Sequence, residues 1–442
     1  MVEDTALFEE TDEEKAMREA TGADKVDEEY AKHIKVSSNM TWFDRAYVKE
    51  KLDTDKYVNC AEKDDAAPLP SMEGLPLEPP LDMAKFVWSP GHDAAEEEEA
   101  GEESLEAARE AATRAATDPR SPDKPWGTCA LVGNSGLLKF STFGRSIDSH
   151  DTVVRVNQAP QRGYSRRVGL KVTHRVFNRL WTKAYFMSDS KIARIQDRMN
   201  KGLEVKEKAF KSWEENPLED NVTLLVTRAT LKEYGNLAGQ LAVARPDVLV
   251  TRIATRAVTM SSAPLKGYRE KMCKAGFGPY RGLNVPSSGW VMGYMMLKLC
   301  DKMSIYGFGV EGMAQASRGL PTSLAVVDRG SSNITYHYFR GLGARSEGND
   351  VHSFDTEERA FEAMANAVDG VTFCKYRKNG GDNNWACGCQ AEEGVEGCRP
   401  EKLPPGTFPL VDCFPGVDCK DKERRELRGH FERTQKRPGF DV

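Results

Sequence analysis

No uncharged apolar run long enough to span a bilayer occurs in this sequence, and no basic-then-apolar leader opens it. The first ten residues, Met1-Val-Glu-Asp-Thr-Ala-Leu-Phe-Glu-Glu, are acidic. Neither a membrane span nor a signal peptide is therefore expected. A basic stripe interleaved with aromatics is also lacking. With 62 Lys and Arg against 68 Asp and Glu, the net charge is −6, so nucleic acid is not expected as a partner. No Gly-x-Gly-x-x-Gly follows the first apolar strand, which disfavours a nicotinamide-dependent oxidoreductase. The one Asp-x-Asp triplet, Asp53-Thr-Asp55, falls before the strand pattern begins, so a metal role is not expected of it.

What is present divides into three stretches. Residues 1–125 are rich in acidic and small residues, with prolines at Pro68, Pro70, Pro79 and Pro80. The run Ala94 to Ala112 is helix-prone but has almost no bulky apolar side chains to bury, and it predicts a solvated helix or a disordered stalk. The aromatics of Thr41-Trp-Phe-Asp-Arg-Ala-Tyr-Val48 read as packing residues. Residues 373–442 form a tail rich in Gly, Pro and Cys. Six of the ten cysteines lie here (Cys374, Cys387, Cys389, Cys398, Cys413, Cys419), allowing 15 pairings. Cys387-Gly-Cys389 does not match the Cys-x-x-Cys of a zinc knuckle, so a disulfide-stapled subdomain is preferred to a metal site. Asn39, Asn221 and Asn333 begin Asn-x-Thr triplets, which decide nothing by themselves.

Between them, residues 126–372 alternate β-like and helical runs. Strands are expected at Cys129–Val132, Thr152–Val156, Val172–Phe177, Val222–Thr227, Val248–Ile253, Met303–Phe308 and Ile334–Phe339. This predicts an α/β domain with a mostly parallel central sheet flanked by helices. Cys129-Ala-Leu-Val-Gly-Asn-Ser-Gly136 reads as a strand entering a polar turn where backbone N–H groups can meet a phosphate. Alone it gives a Rossmann-like nucleotide-binding unit of unknown cargo.

Pro286-Ser-Ser-Gly289 opens a helix that is apolar nearly all round and should be central; Ser287 and Ser288 would offer hydroxyl and backbone donors to an anion. Asp355 and Glu358 have capping-box spacing ahead of Phe361, Met364 and Val368, which places His352 just before a helix. His150 and His174 lie beside strands and read as core histidines.

Taken in order, these blocks resemble the sialyltransferase family, glycosyltransferase family 29. The large motif is matched by Cys129–Gly136, Ser149-His-Asp151, Arg155-Val-Asn-Gln-Ala-Pro160 and Val172–Asn178. The small motif is matched by Pro286-Ser-Ser-Gly289, Leu299-Cys-Asp301 and Tyr306-Gly-Phe-Gly309. His337-Tyr-Phe339 is similar to the third motif, and His352 with Glu357 five residues on to the very small motif. The match covers roughly residues 127–365.

The resemblance implies a GT-A-variant glycosyltransferase fold and an inverting, metal-independent transfer of sialic acid from CMP-sialic acid to a glycan hydroxyl, with no cofactor. CMP-Kdo as donor, or a non-catalytic CMP- or glycan-binding module, are the alternatives. Asn134, Ser135 and Asn157 match positions that hold the CMP moiety. Ser287, Ser288 and Gly289 match positions bordering the phosphate and sugar. His337 matches a histidine near the phosphate and His352 the general base, which suits a side chain that titrates near neutrality. Cys129 and Cys300 match the family's disulfide pair. Glu357 is left between orienting His352 and favouring a helix start. A Golgi-lumen location is implied, with membrane association left open.

Overall fold

The computed structural model describes residues 68–79, 86–91, 94–118, 126–157, 159–161, 164–185, 218–277, 284–309, 338, 352–376 and 381–401. The patch at 41–48, Asp53, Asp55, Asn39, Asn333, Cys60, His337 with most of its expected strand, Cys413 and Cys419 lie outside the described residues.

Six expected strands are present: β1 (Thr128–Val132), β2 (Thr152–Val156), β3 (His174–Phe177), β4 (Thr223–Val226), β5 (Leu249–Arg252) and β6 (Lys302–Tyr306). A strand that the sequence did not announce, β7 (Val371–Cys374), joins them. It is four residues long and only Cys374 is fully buried, so it presents no continuous apolar run. The seven strands form one sheet in the order β5-β4-β3-β2-β1-β6-β7, and every neighbouring pair is parallel.

The helices are α1 (Ala94–Ala100), α2 (Glu102–Thr117), α3 (Gly144–Asp148), α4 (Ser165–Val168), α5 (Arg179–Tyr185), α6 (Leu231–Ala244), α7 (Thr255–Lys274), α8 (Ser288–Leu299), α9 (Phe354–Ala367) and α10 (Asn383–Ala386). Side chains alternate across the sheet, as the pleat requires. Cys129 and Leu131 of β1 pack with α7, α8 and α9 on one face, while Ala130 and Val132 pack with residues around α3 and α4 on the other. Farther along that second face, Leu224, Val226 and Val250 pack against α6. The result is a three-layer α/β/α domain, the Rossmann-like class expected.

As its all-round apolar sequence predicts, α8 is central: Trp290 to Met296 are buried without interruption, and the Trp290 indole N–H donates to the Ser261 carbonyl at 2.8 Å. A disulfide between Cys129 and Cys300, with Cα atoms 5.9 Å apart, ties β1 to the C-terminal cap of α8. Two more disulfides, Cys374–Cys387 and Cys389–Cys398, staple the start of the tail. That subdomain packs on α3: the Cys387 carbonyl accepts from Ser146 Oγ at 2.6 Å and from the Tyr306 hydroxyl at 3.0 Å. In the same buried network His150 bonds the Ser146 carbonyl and Ser304 Oγ, both at 2.9 Å. His174 stacks on Trp126 with ring centroids 4.4 Å apart. Both histidines are core residues.

The run from Ala94 departs from expectation. It forms α1 and α2, and α2 docks on α6 through small residues: Ser104, Ala108 and Ala115 are buried there. Small side chains bury little area each but let backbones approach closely. The position a Cβ on Gly235 would occupy is 1.8 Å from the Ser104 carbonyl oxygen. Ahead of α1, Val87 bridges Ile253 in antiparallel sense, and the Trp88 N–H donates to the Arg252 carbonyl at 2.8 Å, so the chain runs along the outer edge of β5.

Gly235→Ala tests this docking. Removing a glycine from a helix interior ordinarily gains about 1 kcal/mol. Here the added methyl meets backbone that cannot swing aside, and overpacking of that kind costs typically 1–3 kcal/mol. The expected net result is a lower melting temperature and faster proteolysis within 94–118. A variant as stable and as protected as wild type would show that the contact yields freely.

Candidate active site

From β1 the chain winds through β2, β3, β4 and β5 to one side of the sheet, then returns to lay β6 on the other side of β1. The connections leaving β1 and β6 therefore diverge, and the crevice outside their carboxyl ends is where an open parallel sheet takes ligands. Two glycines shape it. The Gly133 N–H donates to the Tyr306 carbonyl at 2.8 Å, and a Cβ on Gly133 would sit 2.4 Å from the Gly307 carbonyl oxygen. Only glycine lets the two strand ends meet this closely.

Asn134 follows. Its carbonyl accepts from the Tyr338 N–H at 3.1 Å, while its side-chain Oδ1 is buried and has no hydrogen-bond partner among the described residues. Ser135 is committed differently: its hydroxyl accepts from the Leu137 N–H at 3.2 Å, capping a short 3-10 helix, and donates to the Gly309 carbonyl at 2.5 Å. Asn157 ends β2 in the left-handed region at φ 55°. Its carbonyl accepts from Arg175 at 2.7 Å, and its Oδ1 accepts from the Asn178 N–H at 3.2 Å. Arg175 is itself paired with Glu219, whose carboxyl is held down at about 2 against the cost of its burial. Asparagine is among the residues that tolerate this backbone best.

The N-terminus of α8 divides the Pro286-Ser-Ser-Gly289 residues among separate tasks. Ser287 is the N-cap and accepts from the Trp290 N–H at 3.1 Å. Its own N–H and hydroxyl both go to Glu357, to Oε1 and Oε2 respectively, each at 2.5 Å. Ser288 Oγ is buried without a partner among the described residues. At Gly289 a Cβ would lie 2.3 Å from the Phe308 ring, so packing against that ring demands glycine here. Ser288 thus remains available to a ligand, whereas Ser287 is already bonded.

His352 precedes α9 and is half-buried. It forms an antiparallel bridge with Asn284, and its Nδ1 lies 2.9 Å from the Val285 carbonyl. A carbonyl only accepts, so Nδ1 carries the proton and Nε2 the lone pair in the neutral ring. Arg228 Nη1, from the turn after β4, is 3.5 Å from that Nε2. Burial, with the Arg228 charge second, pushes His352 down to about 3. The ring is neutral at physiological pH and so holds the protonation state a base needs.

Glu357 lies in the first turn of α9. Its carboxyl faces Ser287, linking α9 to the start of α8, which is a third outcome beside the two read from sequence. Nor does the capping box form: Ser353 is the N-cap of α9, with its hydroxyl 2.7 Å from Thr356 Oγ1. Burial pushes Glu357 up to about 7, against the downward pull of the two Ser287 hydrogen bonds and of Arg228. A carboxyl raised from 4.5 binds its proton more tightly in the folded chain. Its stabilising contribution is complete below pH 4.5 and is lost as pH rises through about 7. His352 runs the other way, losing its contribution as pH falls from 6.5 towards 3. Glu357→Gln keeps a hydrogen-bonding group and removes only the first dependence. Unfolding titrations from pH 4.5 to 8 should therefore show the variant gaining on wild type by up to about 3 kcal/mol as pH rises. A constant difference across that range would mean Glu357 titrates normally.

A cavity of about 790 Å³ lies between residues 69–79 and the last turns of α8 and α9, at the opposite end of α8 from Ser287. Asn134, Asn157, Ser288 and His352 lie instead towards the carboxyl end of the sheet.

A parallel sheet between two helical layers, with a polar crevice at its switch point, defines an α/β protein of the Rossmann-like class. The chain belongs to glycosyltransferase family 29, the sialyltransferases, whose profile matches residues 83–368. It is 44% identical over 73 residues to human beta-galactoside alpha-2,6-sialyltransferase 1, covering 16% of this chain and 18% of that one. To pig CMP-N-acetylneuraminate-beta-galactosamide-alpha-2,3-sialyltransferase 1 it is 28% identical over 183 residues, 41% of this chain and 44% of that one. To sialyltransferase-like protein 2 of Arabidopsis thaliana it is 40% identical over 90 residues, 20% and 19% of the two chains. The matches thus span less than half the length of these relatives. A crystal structure of a mammalian sialyltransferase with Gal-beta-1-3GalNAc-ortho-nitrophenol overlays with a TM-score of 0.39 at 18% identity, covering 70% of this chain and 98% of that one.

Proposed function

We propose that this chain moves sialic acid from CMP-sialic acid to a glycan hydroxyl, with inversion and without a metal, and that His352 is the general base. The observation that carries the reading is the bond from His352 Nδ1–H to the Val285 carbonyl, which leaves the Nε2 lone pair at the carboxyl end of the sheet. Nε2 takes the acceptor hydroxyl's proton as that oxygen attacks the anomeric carbon. The bond from that carbon to the phosphate oxygen breaks, and CMP leaves with its electron pair.

Two buried atoms without a partner among the described residues support a nucleotide close by: Ser288 Oγ can donate to the phosphate, and Asn134 Oδ1 can accept from the base or ribose. Asn157 and Ser135 shape the same wall. Ser287 and Gly289 act at one remove, by fixing the start of α8. CMP carries a single phosphate, whose charge hydroxyls and helix-end N–H groups can meet, with His337 a further proposed contact. Disulfides at Cys129–Cys300, Cys374–Cys387 and Cys389–Cys398 suit an oxidising compartment such as the Golgi lumen. No helix among the described residues is long and apolar enough to cross a membrane.

The test is CMP release from CMP-Neu5Ac and, separately, from CMP-Kdo, with and without acceptors. Beta-galactosides and beta-galactosamides come first, since the names of two relatives specify them. Acceptor-dependent release from CMP-Neu5Ac is expected. Release from CMP-Kdo alone would change the sugar. CMP binding without acceptor-dependent release from either donor would leave a binding module.

A further inference from the structure

The bond between Ser287 and Glu357 has two forms, because the hydrogen it uses depends on the charge of the carboxyl. Ser287 Oγ accepts from the Trp290 N–H at 3.1 Å and lies 2.5 Å from Glu357 Oε2, while the Ser287 N–H meets Oε1 at 2.5 Å. A hydroxyl has one hydrogen to donate and two lone pairs to accept with. When Glu357 is ionised, that one hydrogen is drawn to Oε2 and Ser287 has nothing left to donate. When Glu357 is protonated on Oε2, the acid O–H donates to Oγ instead, and Oε1, now a carbonyl oxygen, still accepts from the Ser287 N–H. Both lone pairs of Oγ are then filled, by Glu357 and Trp290, and the Ser287 hydrogen is released to turn elsewhere.

The crevice is open to it. From Asn284 to Trp290 every residue is buried except Ser287, which is half-buried. Beside it Ser288 Oγ has no partner among the described residues, and the first N–H groups of a helix favour an anion. An ionised Glu357 works against that anion twice, by holding the Ser287 hydrogen and by setting a negative charge behind it. Glu357 is 2% exposed. Arg228, from the turn after β4, favours the ionised form by its charge, as do the two Ser287 bonds, but burial outweighs them and raises the carboxyl to about 7. The other charged groups of α9 are engaged elsewhere: Glu358 pairs with Lys375 and Arg359 with Glu362, while Asp355 responds to Glu358, Arg359 and Arg269 of α7. His352 is neutral across this range.

We propose that Glu357 is a positioning residue for the donor: the protonated carboxyl donates to Ser287 Oγ and so turns the Ser287 hydrogen to the phosphate of the CMP-sugar. This rests on the reading of the crevice as a CMP site, and it adds a direct contact to the part Ser287 plays in fixing α8. Above the midpoint of Glu357, binding draws one proton from solvent onto Oε2. Below it, the proton is already in place.

The experiment is calorimetric titration of the full chain with CMP between about pH 6.5 and 8, in buffers of different ionisation enthalpy, which gives the affinity and the number of protons taken up. Wild type is compared with Glu357→Gln, so that protons exchanged by the CMP phosphate or by other side chains cancel. Glutamine has the hydrogen-bond pattern of the protonated acid, with a carbonyl for the Ser287 N–H and an amide N–H for Oγ. Relative to this variant, wild-type affinity should fall about five- to tenfold over the range, as the protonated fraction of a group titrating near 7 declines, with close to one extra proton taken up at the alkaline end. A purely structural Glu357 would leave the proton count unchanged. In the Glu357→Gln background, Ser287→Ala should weaken CMP about tenfold or more, since a bond to a charged group is lost; thermal unfolding shows that each variant is folded at the assay temperature. Equal proton uptake by wild type and Glu357→Gln, or affinity in the double variant within about twofold of Glu357→Gln, overturns the proposal. Failure of the underlying reading has a separate signature: wild type would not bind CMP at any pH.

Discussion

His352→Ala should lose glycosyl transfer by a factor of about 10²–10⁴, the usual contribution of a positioned general base, while binding CMP as wild type does. The split between rate and binding follows from the placement of the residue. Its Nδ1 is spent on the Val285 carbonyl, so the side chain has one atom to offer, and in the proposed reaction that atom meets the acceptor rather than the nucleotide. The atoms proposed to meet the nucleotide, Asn134 Oδ1 and Ser288 Oγ, belong to other elements and are untouched by the substitution. Single-turnover transfer with saturating CMP-Neu5Ac would measure the rate, and CMP titration by calorimetry the affinity. His352→Gln adds a control, because it can still hydrogen-bond the Val285 carbonyl but cannot take a proton at neutral pH. It should be as slow as the alanine variant. Transfer within a few-fold of wild type in both variants would remove the base. A parallel collapse of CMP affinity would instead place His352 in the nucleotide site.

Replacing Cys129 and Cys300 together by serine should cost the fold about 2–5 kcal/mol, the range for native disulfides. The pair lies at the high end of that range on chain-entropy grounds, because it closes a loop with a sequence separation of 171. It also joins two elements whose other ends build the crevice. β1 leads at its carboxyl end to Gly133-Asn134-Ser135. α8, about 18 Å long at 1.5 Å per residue, begins at the Ser287 cap and ends at Cys300. Denaturant unfolding of the double variant, compared with wild type with and without reductant, would read the loss. Reductant should destabilise wild type by more than it does the variant, which keeps Cys374–Cys387 and Cys389–Cys398. Equal stability of oxidised wild type and variant would show that packing alone holds α8 on the sheet.

The strands were legible because a parallel sheet covered on both faces needs continuous apolar runs, as in Ala130-Leu-Val132 and Thr223-Leu-Leu-Val226. α8 was legible for the same reason. β7 was not, being short, half-exposed and at an edge. The docking of α2 was hidden because its contact rests on the absence of side chains at Gly235, Ala108 and Ala115, and small residues carry no hydrophobic signal. At the site, the motif resemblance picked out Asn134, Asn157, Ser288 and His352 as residues, without saying where on the sheet they lie. It could not say that Ser287 is engaged by Glu357, because that pair is 70 residues apart and no local spacing relates them. Arg175 and Glu219, which brace Asn157, and Arg228 were missed for the same reason. Each meets a residue distant in sequence, and only the fold brings them together.

The chain along the outer edge of β5 has a consequence for how this protein behaves when shortened. A strand edge left open offers its N–H and C=O groups to any other strand it meets. Here the bridge from Val87 to Ile253 and the bonds of Phe86 and Trp88 fill part of that row, with α2 beside it. A form trimmed to begin at Trp126 would keep every crevice residue yet expose a bare edge beside the apolar patch left by α2. The acidic segment, whatever else it does, then serves as a guard against self-association.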